Sequence, residues 1–339
     1  MIAGPAGIGK TSLLDQVRAT ARSAGATVLS ARGNQLEREY GFGVVRQLFD
    51  PVLADAASRE ELLTGAAAAA ARVFDSTVPP DGASDAQFTL LHGLYWLTSN
   101  LAGRRPLVIA VDDVQWCDAG SLRFLGYLTR RLEGVPVLVV STHRTGEQPA
   151  DEDLVHEVTA HPDVLAVHPA PLSAEGAAAV VRERLEQADE AFVGACFRTT
   201  SGNPLLLRQL LRALETEGVR PDASHADTVR AIGSRAVSSM VMMRLRRMPG
   251  ASRDVARAVA VLGDGASLPM AAAMTGHPDE VTASAVATLA RSEVLRPDLP
   301  LRFVHPLVEA AVYDDLPLGE RELQHARAAQ VLTDAAAPA

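Results

Sequence analysis

The chain has 339 residues, 47% apolar and 22% charged, with a formal net charge of −9 at pH 7. That balance is globular rather than disordered and leaves room for roughly two to three domains, while the acidic excess argues against a general nucleic-acid surface. Cys117 and Cys196 follow no metal-binding spacing, no secretory leader is visible, and no apolar run is long enough to span a membrane, which together point to the cytoplasm.

A short apolar lead, Met1-Ile2-Ala3, runs into Gly4-Pro5-Ala6-Gly7-Ile8-Gly9-Lys10-Thr11, followed by Ser12. The stretch fits G-x-x-x-x-G-K-[ST] at every fixed position. Glycines at this spacing let backbone N–H groups turn inward around an anion, and a helix opening at Lys10 adds its unpaired N–H groups and dipole. Lys10 is placed to reach the β- and γ-phosphates of a nucleotide, and the Thr11 hydroxyl to ligate Mg²⁺. Lys10 is also the single lysine among 32 basic residues, kept where a compact ammonium is needed and a planar guanidinium does not fit.

Up to about residue 170 the pattern alternates between helix and strand. Leu13, Leu14, Val17 and Ala21 mark a helix ending at Gly25, and Thr27 to Ala31 a buried strand. Val44, Val45, Leu48 and Phe49 mark the next helix and Glu60 to Phe74 another. Val78 to Gly82 reads as a loop, and Asp85 caps a helix carrying Phe88, Leu91 and Tyr95. Leu107-Val108-Ile109-Ala110-Val111-Asp112-Asp113 has the continuous apolar run of a strand buried on both faces. Its two terminal carboxylates lie at the sheet edge where α/β folds bind ligands. Asp112 is placed to hold the Mg²⁺ shell and Asp113 to polarise an attacking water. Asp118 caps the next helix, and Val135 to Ser141 is a further strand with Thr142-His143-Arg144 at its end. Arg144 admits two readings, a sensor of the γ-phosphate or a partner for a nearby carboxylate; His143 reads as structural. Val164 to Val167 supplies a fifth strand, and the whole is an α/β fold with a doubly wound parallel sheet.

From Ala170 only helices follow. Ser173 caps one, Asp189 opens another, and Gly202-Asn203-Pro204 forms a junction of C′ glycine, N-cap and N1 proline before a helix from Leu205 to Glu217. Three helices (Ser252–Leu262, Pro269–Thr275, Asp279–Arg291) precede a hairpin of Val294-Leu295-Arg296 against Leu301 to Val304, turning at Arg296-Pro297-Asp298. That is the outline of a winged helix. His305-Pro306 starts a last helix ending at Leu316-Pro317, and an amphipathic helix with Leu323, Ala326 and Gln330 begins the tail. The expected domains are a P-loop NTPase domain (1–170), an all-α lid (171–235), a winged-helix-like domain (236–317) and the start of a further helical region (318–339).

The phosphate loop, the strand ending in Asp112-Asp113 with Gln115-Trp116 and Asp118, Arg144, Gly202-Asn203-Pro204-Leu205, and Phe303-Val304-His305-Pro306-Leu307 occur in one order. Together they resemble the AAA+-like ATPase core of STAND-type signal-transduction NTPases, specifically the large ATP-binding LuxR-type transcriptional regulators of high-GC actinobacteria. The resemblance implies ATP/ADP and Mg²⁺ as cofactors and a module that switches between inactive and active states with slow hydrolysis. It makes Asp112 the Mg²⁺ residue, Asp113 the catalytic one and Arg144 the sensor; Pro204 lies against the base or ribose, and His305 contacts the ADP phosphates. It also implies a chain cut short at both ends, a missing inducer-sensing helical-repeat domain, and self-association as a further option; the acidic excess between Ala251 and Pro317 argues instead against direct DNA binding by this chain, and the short apolar runs against membrane contact. A non-hydrolysing nucleotide-binding scaffold and a metabolic phosphotransferase are the competing classes. The second would need an acceptor pocket and a basic lid.

Overall fold

The computed structural model of the chain describes residues 1–75, 84–145, 151–263, 265–292, 294–296, 298–304 and 306–336. The expected loop from Val78 to Gly82, Pro297 of the hairpin turn, His305 and the side chain of Asp85 lie outside the described residues. The chain divides into two compact units, Met1–Gly4 with Gly9–Pro169, and Pro5–Ile8 with Ala170–Ala339.

In the first unit β1 (Ile2–Gly4) leads through the phosphate loop into α1 (Lys10–Ser23), and β2 (Thr27–Arg32) follows. Then come α2 (Gly43–Leu53), α3 (Ala56–Leu62), α4 (Ala71–Phe74), α5 (Ser84–Ala102), β3 (Leu107–Asp112), α6 (Ala119–Thr129), β4 (Val137–Arg144) and α7 (Glu152–Thr159). The sheet has the order β1-β4-β3-β2, all parallel, with Thr27 opposite Leu107 through Arg32 opposite Asp112. Every residue of β3 is buried, as its continuous apolar run requires. Alternation divides that run between the faces. Leu107, Ile109 and Val111 enter a large core with Leu48, Phe49, Leu97 and Phe124, whereas Ala110 meets Ile2 and Leu14 in a small cluster under α1.

Four expectations change here. The strand at Val164 to Val167 reduces to one parallel bridge, Ile2 with Val167, because the neighbouring β1 is three residues long and offers no ladder. The helix from Glu60 to Phe74 breaks into α3, a 3-10 turn at Gly65–Ala70 and α4, since Gly65 at φ 57 leaves the helical region. β4 runs on to Arg144, so Thr142 and His143 are strand residues. On α1 only Leu14 of the expected stripe is fully buried, and Leu13 is 42% exposed beside an apolar hollow of about 1250 Å³ bounded by Leu138 and Leu165.

Among described residues, the second unit contains α8 (Ala174–Arg184), α9 (Glu190–Thr200), α10 (Pro204–Thr216), α11 (Ala226–Arg246), α12 (Gly250–Leu262), α13 (Leu268–Thr275), α14 (Asp279–Arg291), α15 (Pro306–Asp314) and α16 (Leu318–Ala336). Caps set several of these boundaries. The Ser173 hydroxyl accepts from Gly176 N–H, and the Asn203 side chain accepts from Leu205 and Leu206 N–H with Pro204 at the first helical position. Helices α8 to α11 bury Phe192, Leu207, Leu211 and Val229 together. Helices α12 to α15 share a second core with Leu295 and Phe303, which face each other across an antiparallel bridge; Ala266 and Leu301 form another. No helix of the described residues is long and apolar enough to cross a membrane.

Candidate functional site

The loop between β1 and α1 is built on two left-handed glycines, Gly7 at φ 83 and Gly9 at φ 102. A side chain at either would be strained, so the spacing of the glycines is a backbone requirement. Gly9 stands at the N-cap of α1 and contributes no side chain, so the helix start is left open to an anion from outside. Lys10 is buried, and its Nζ donates to the Gly4 carbonyl at 2.7 Å, folding the ammonium back over the loop. Thr11 and Ser12 follow in the first turn of the helix.

The Thr11 hydroxyl lies 3.2 and 3.1 Å from the two carboxylate oxygens of Asp112, a residue 101 positions away. Asp112 is 3% exposed and also accepts from the Thr142 hydroxyl at 2.6 Å. Thr142, fully buried on β4, in turn accepts from the Asp113 backbone N–H at 2.7 Å. Asp113 follows β3 in left-handed backbone, φ 56 and ψ 53, an uncommon conformation for a residue with a side chain. Its carboxylate shares Arg32 with Asp112 and otherwise has partners of its own. Oδ2 accepts from Arg32 at 3.1 Å, Oδ1 accepts from Gln115 Nε2 at 3.1 Å, and the Arg144 guanidinium stands 3.7 Å from Oδ1. Arg32 also approaches Asp112 to 3.8 Å. Over this cluster opens a polar cavity of about 550 Å³ lined by Arg32, Gln47, Asp113, Trp116 and Arg144. Arg144 thus meets a carboxylate, which is one of its two sequence readings; the other concerns a bound nucleotide.

Asp118 holds the frame. Its buried carboxylate accepts from Ser121 N–H as the cap of α6, and also from Phe42 and Val44 N–H at the start of α2. Burial pushes the Cys117 thiol well above its ordinary range, with the neighbouring Asp118 and Asp113 charges acting the same way. Both effects favour the neutral thiol over the thiolate. Among described residues no group of three or more His, Cys, Asp or Glu side chains converges as a metal cage.

In the second unit an apolar hollow of about 330 Å³ is lined by Pro5, Ala6, Ile8, Asn203, Leu205 and Val308, among others. Pro204 lies half-buried between two of these residues. His305 cannot be assigned a place, since it falls outside the described residues. Sequence reading missed Arg32, and it named Gln115 and Thr142 without giving either a place in the site. The available signal was positional: Arg32 closes β2 opposite Asp112, and Thr142 lies just beyond the stretch of β4 that pairs with β3.

Residues 1–140 match the AAA ATPase domain family. The chain therefore carries an AAA-type ATPase domain. It is 30% identical over 237 residues to an uncharacterized protein of Rhizobium meliloti (strain 1021), a match covering 66% of this chain. The chain spans about a fifth of that relative, 22% of its length. Among solved structures it is similar to the Walker-type ATPase PABY2304 of Pyrococcus abyssi, with a TM-score of 0.58, 12% identity and coverage of 92% and 89% of the two chains. A STAND protein with a tetratricopeptide-repeat sensor from Pyrococcus horikoshii aligns over 99% of this chain and 43% of its own, at a TM-score of 0.39 and 18% identity.

Proposed function

We propose that this chain is the ATP-binding, slowly hydrolysing switch module of a LuxR-type transcriptional regulator of the STAND class. The observation that carries the reading is the meeting of the Thr11 hydroxyl with the Asp112 carboxylate at the mouth of the phosphate loop. These are two hard oxygen donors, one from each nucleotide motif. Mg²⁺ is commonly held by one or two protein oxygens, with substrate phosphates and waters completing its shell, and this donor set fits that habit. When bound, Mg²⁺ would neutralise charge between the β- and γ-phosphates. Lys10 then turns from the Gly4 carbonyl toward the phosphates. Ala6 to Gly9 would supply backbone N–H groups, and Asp113 would orient and polarise the attacking water. Pro204 would lie against the base or ribose.

In this reading residues 1–170 are the NTPase domain, 171–235 the lid and 236–317 a winged helix; residue 318 onward begins a further helical region. The antiparallel bridge of Leu295 with Phe303 after α14, and that of Leu301 with Ala266 between α12 and α13, support the winged-helix assignment. Control of transcription, an inducer-sensing repeat domain and self-association belong to the same proposal. A second reading, a nucleotide-binding scaffold without hydrolysis, draws on one observation: both oxygens of Asp113 are already engaged, by Arg32 and Gln115. Steady-state Mg²⁺-ATP hydrolysis separates the two. The switch predicts slow turnover lost in Asp113→Asn, whereas equal rates in both proteins would remove Asp113 from the chemistry.

A further inference from the structure

The main-chain ladder between β3 and β4 stops at Val111 opposite Ser141. Beyond that point two side chains do what the ladder no longer does. The Thr142 hydroxyl takes the Asp113 N–H, and the Gln115 side-chain oxygen takes the Arg144 N–H at 3.1 Å. Gln115 is 1% exposed, on the 3-10 turn Val114–Trp116 that follows the left-handed Asp113. That turn folds the chain back, so the other end of the same amide, Nε2, donates to Asp113 Oδ1. One rigid group thus fixes the direction of a carboxylate and the end of the neighbouring strand at once.

We infer that Gln115 is a positioning residue for hydrolysis, tying the aim of the Asp113 carboxylate to the position of Arg144. The inference rests on the role proposed for Asp113. Few side chains could serve. The link needs a donor at one end and an acceptor at the other, which restricts it to an amide or a neutral imidazole. An amide also carries no charge that would repel the carboxylate it steers. A side chain present only to satisfy buried groups would not require its two ends to reach these two residues. Arg32, which holds the other carboxylate oxygen, is largely exposed and free to exchange its partner for water; Gln115 has no such exit.

Three variants separate the two ends of the amide. Gln115→Glu keeps an acceptor for Arg144 N–H but sets an anion against Asp113. Gln115→Leu removes both links, and Gln115→His retains one donor and one acceptor. Turnover and KM are measured for each, together with Kd for a fluorescent ATP analogue and hydrogen exchange of the peptide containing Arg144. The expected result is a fall in kcat of tenfold or more in Gln115→Glu and Gln115→Leu, with Kd unchanged within twofold. Arg144 exchange rises in Gln115→Leu alone, and Gln115→His recovers most of the rate lost in Gln115→Leu. If Gln115→Glu turns over at the parental rate while Asp113→Asn is dead, the inference falls and the role of Asp113 stands. A parental protein without hydrolysis would remove the proposed role of Asp113, and this inference with it.

Discussion

Asp118→Ala should cost more stability than any ordinary cap substitution, because the carboxylate serves two elements at once. Its Oδ1 accepts from Phe42 N–H at 2.7 Å and Ser121 N–H at 2.9 Å, and Oδ2 accepts from Val44 N–H at 3.2 Å, all at a side chain 2% exposed. Loss of the helix cap costs about 1 kcal/mol. Each of the other two buried N–H groups left without an acceptor adds about 1–3 kcal/mol. The total is roughly 3–7 kcal/mol, a large share of the ~5–15 kcal/mol that holds a typical domain. At about 2–4 °C per kcal/mol, Tm should fall by about 6–28 °C. Urea unfolding followed by tryptophan fluorescence gives the free energy, with Trp116 two residues from the substituted position. Asp118→Asn keeps one acceptor oxygen and should fall between the two. A loss below about 1 kcal/mol in Asp118→Ala would refute the claim that this carboxylate holds the start of α2 to that of α6.

Further outcomes follow from the same geometry. Asp112→Asn should weaken the Mg²⁺ dependence of ATP binding, whereas Asp113→Asn should leave it intact; titrations with and without Mg²⁺ tell them apart, and identical behaviour would contradict their largely separate partner sets. Burial pushes the Cys196 thiol up to about 12 and that of Cys117 higher, so neither should react with iodoacetamide at pH 8 until the chain unfolds, as intact mass would report. The same raised values mean that folding favours the neutral thiols. Their contribution is complete below the unfolded pKa near 8.5 and should decline as pH rises from there toward the folded values, seen as a Tm that drops above about pH 9. The segment Ala251 to Pro317 carries five basic residues against nine acidic ones, so the chain should not bind duplex DNA. A gel-shift titration at about 50 mM salt is the strictest test, and micromolar binding there would overturn it.

The parts legible in the sequence were those fixed by local chemistry. The glycines of the loop, the unbroken apolar run of β3 and the caps at Ser173, Asp118 and Asn203 each act within a few residues, and each appears in place. What escaped was set by strand neighbourhood. Arg32 meets Asp113 across 81 positions only because β2 lies beside β3, and nothing in either segment names its neighbour. Gln115 was visible as part of a motif, but its double bond depends on the left-handed turn at Asp113. Helix α11 also went unread, since the residues from 218 to 250 combine Arg, Ala and Ser without a clean stripe. In α16 the expected apolar position Leu323 is 72% exposed and Ala328 is the buried one, so alanine there does the packing that leucine was expected to do.

The central claim is that Gly4 to Ser12 binds a nucleotide through its phosphates. Equilibrium titration of a fluorescent ATP analogue in Mg²⁺, with the parental chain and with Lys10→Ala, tests it most directly. Lys10 gives charge-assisted bonds worth about 1.5–3 kcal/mol each. The account predicts saturable binding by the parental chain and a loss of roughly tenfold to more than a hundredfold in Lys10→Ala, with circular dichroism unchanged. Equal affinity in the two proteins would contradict it.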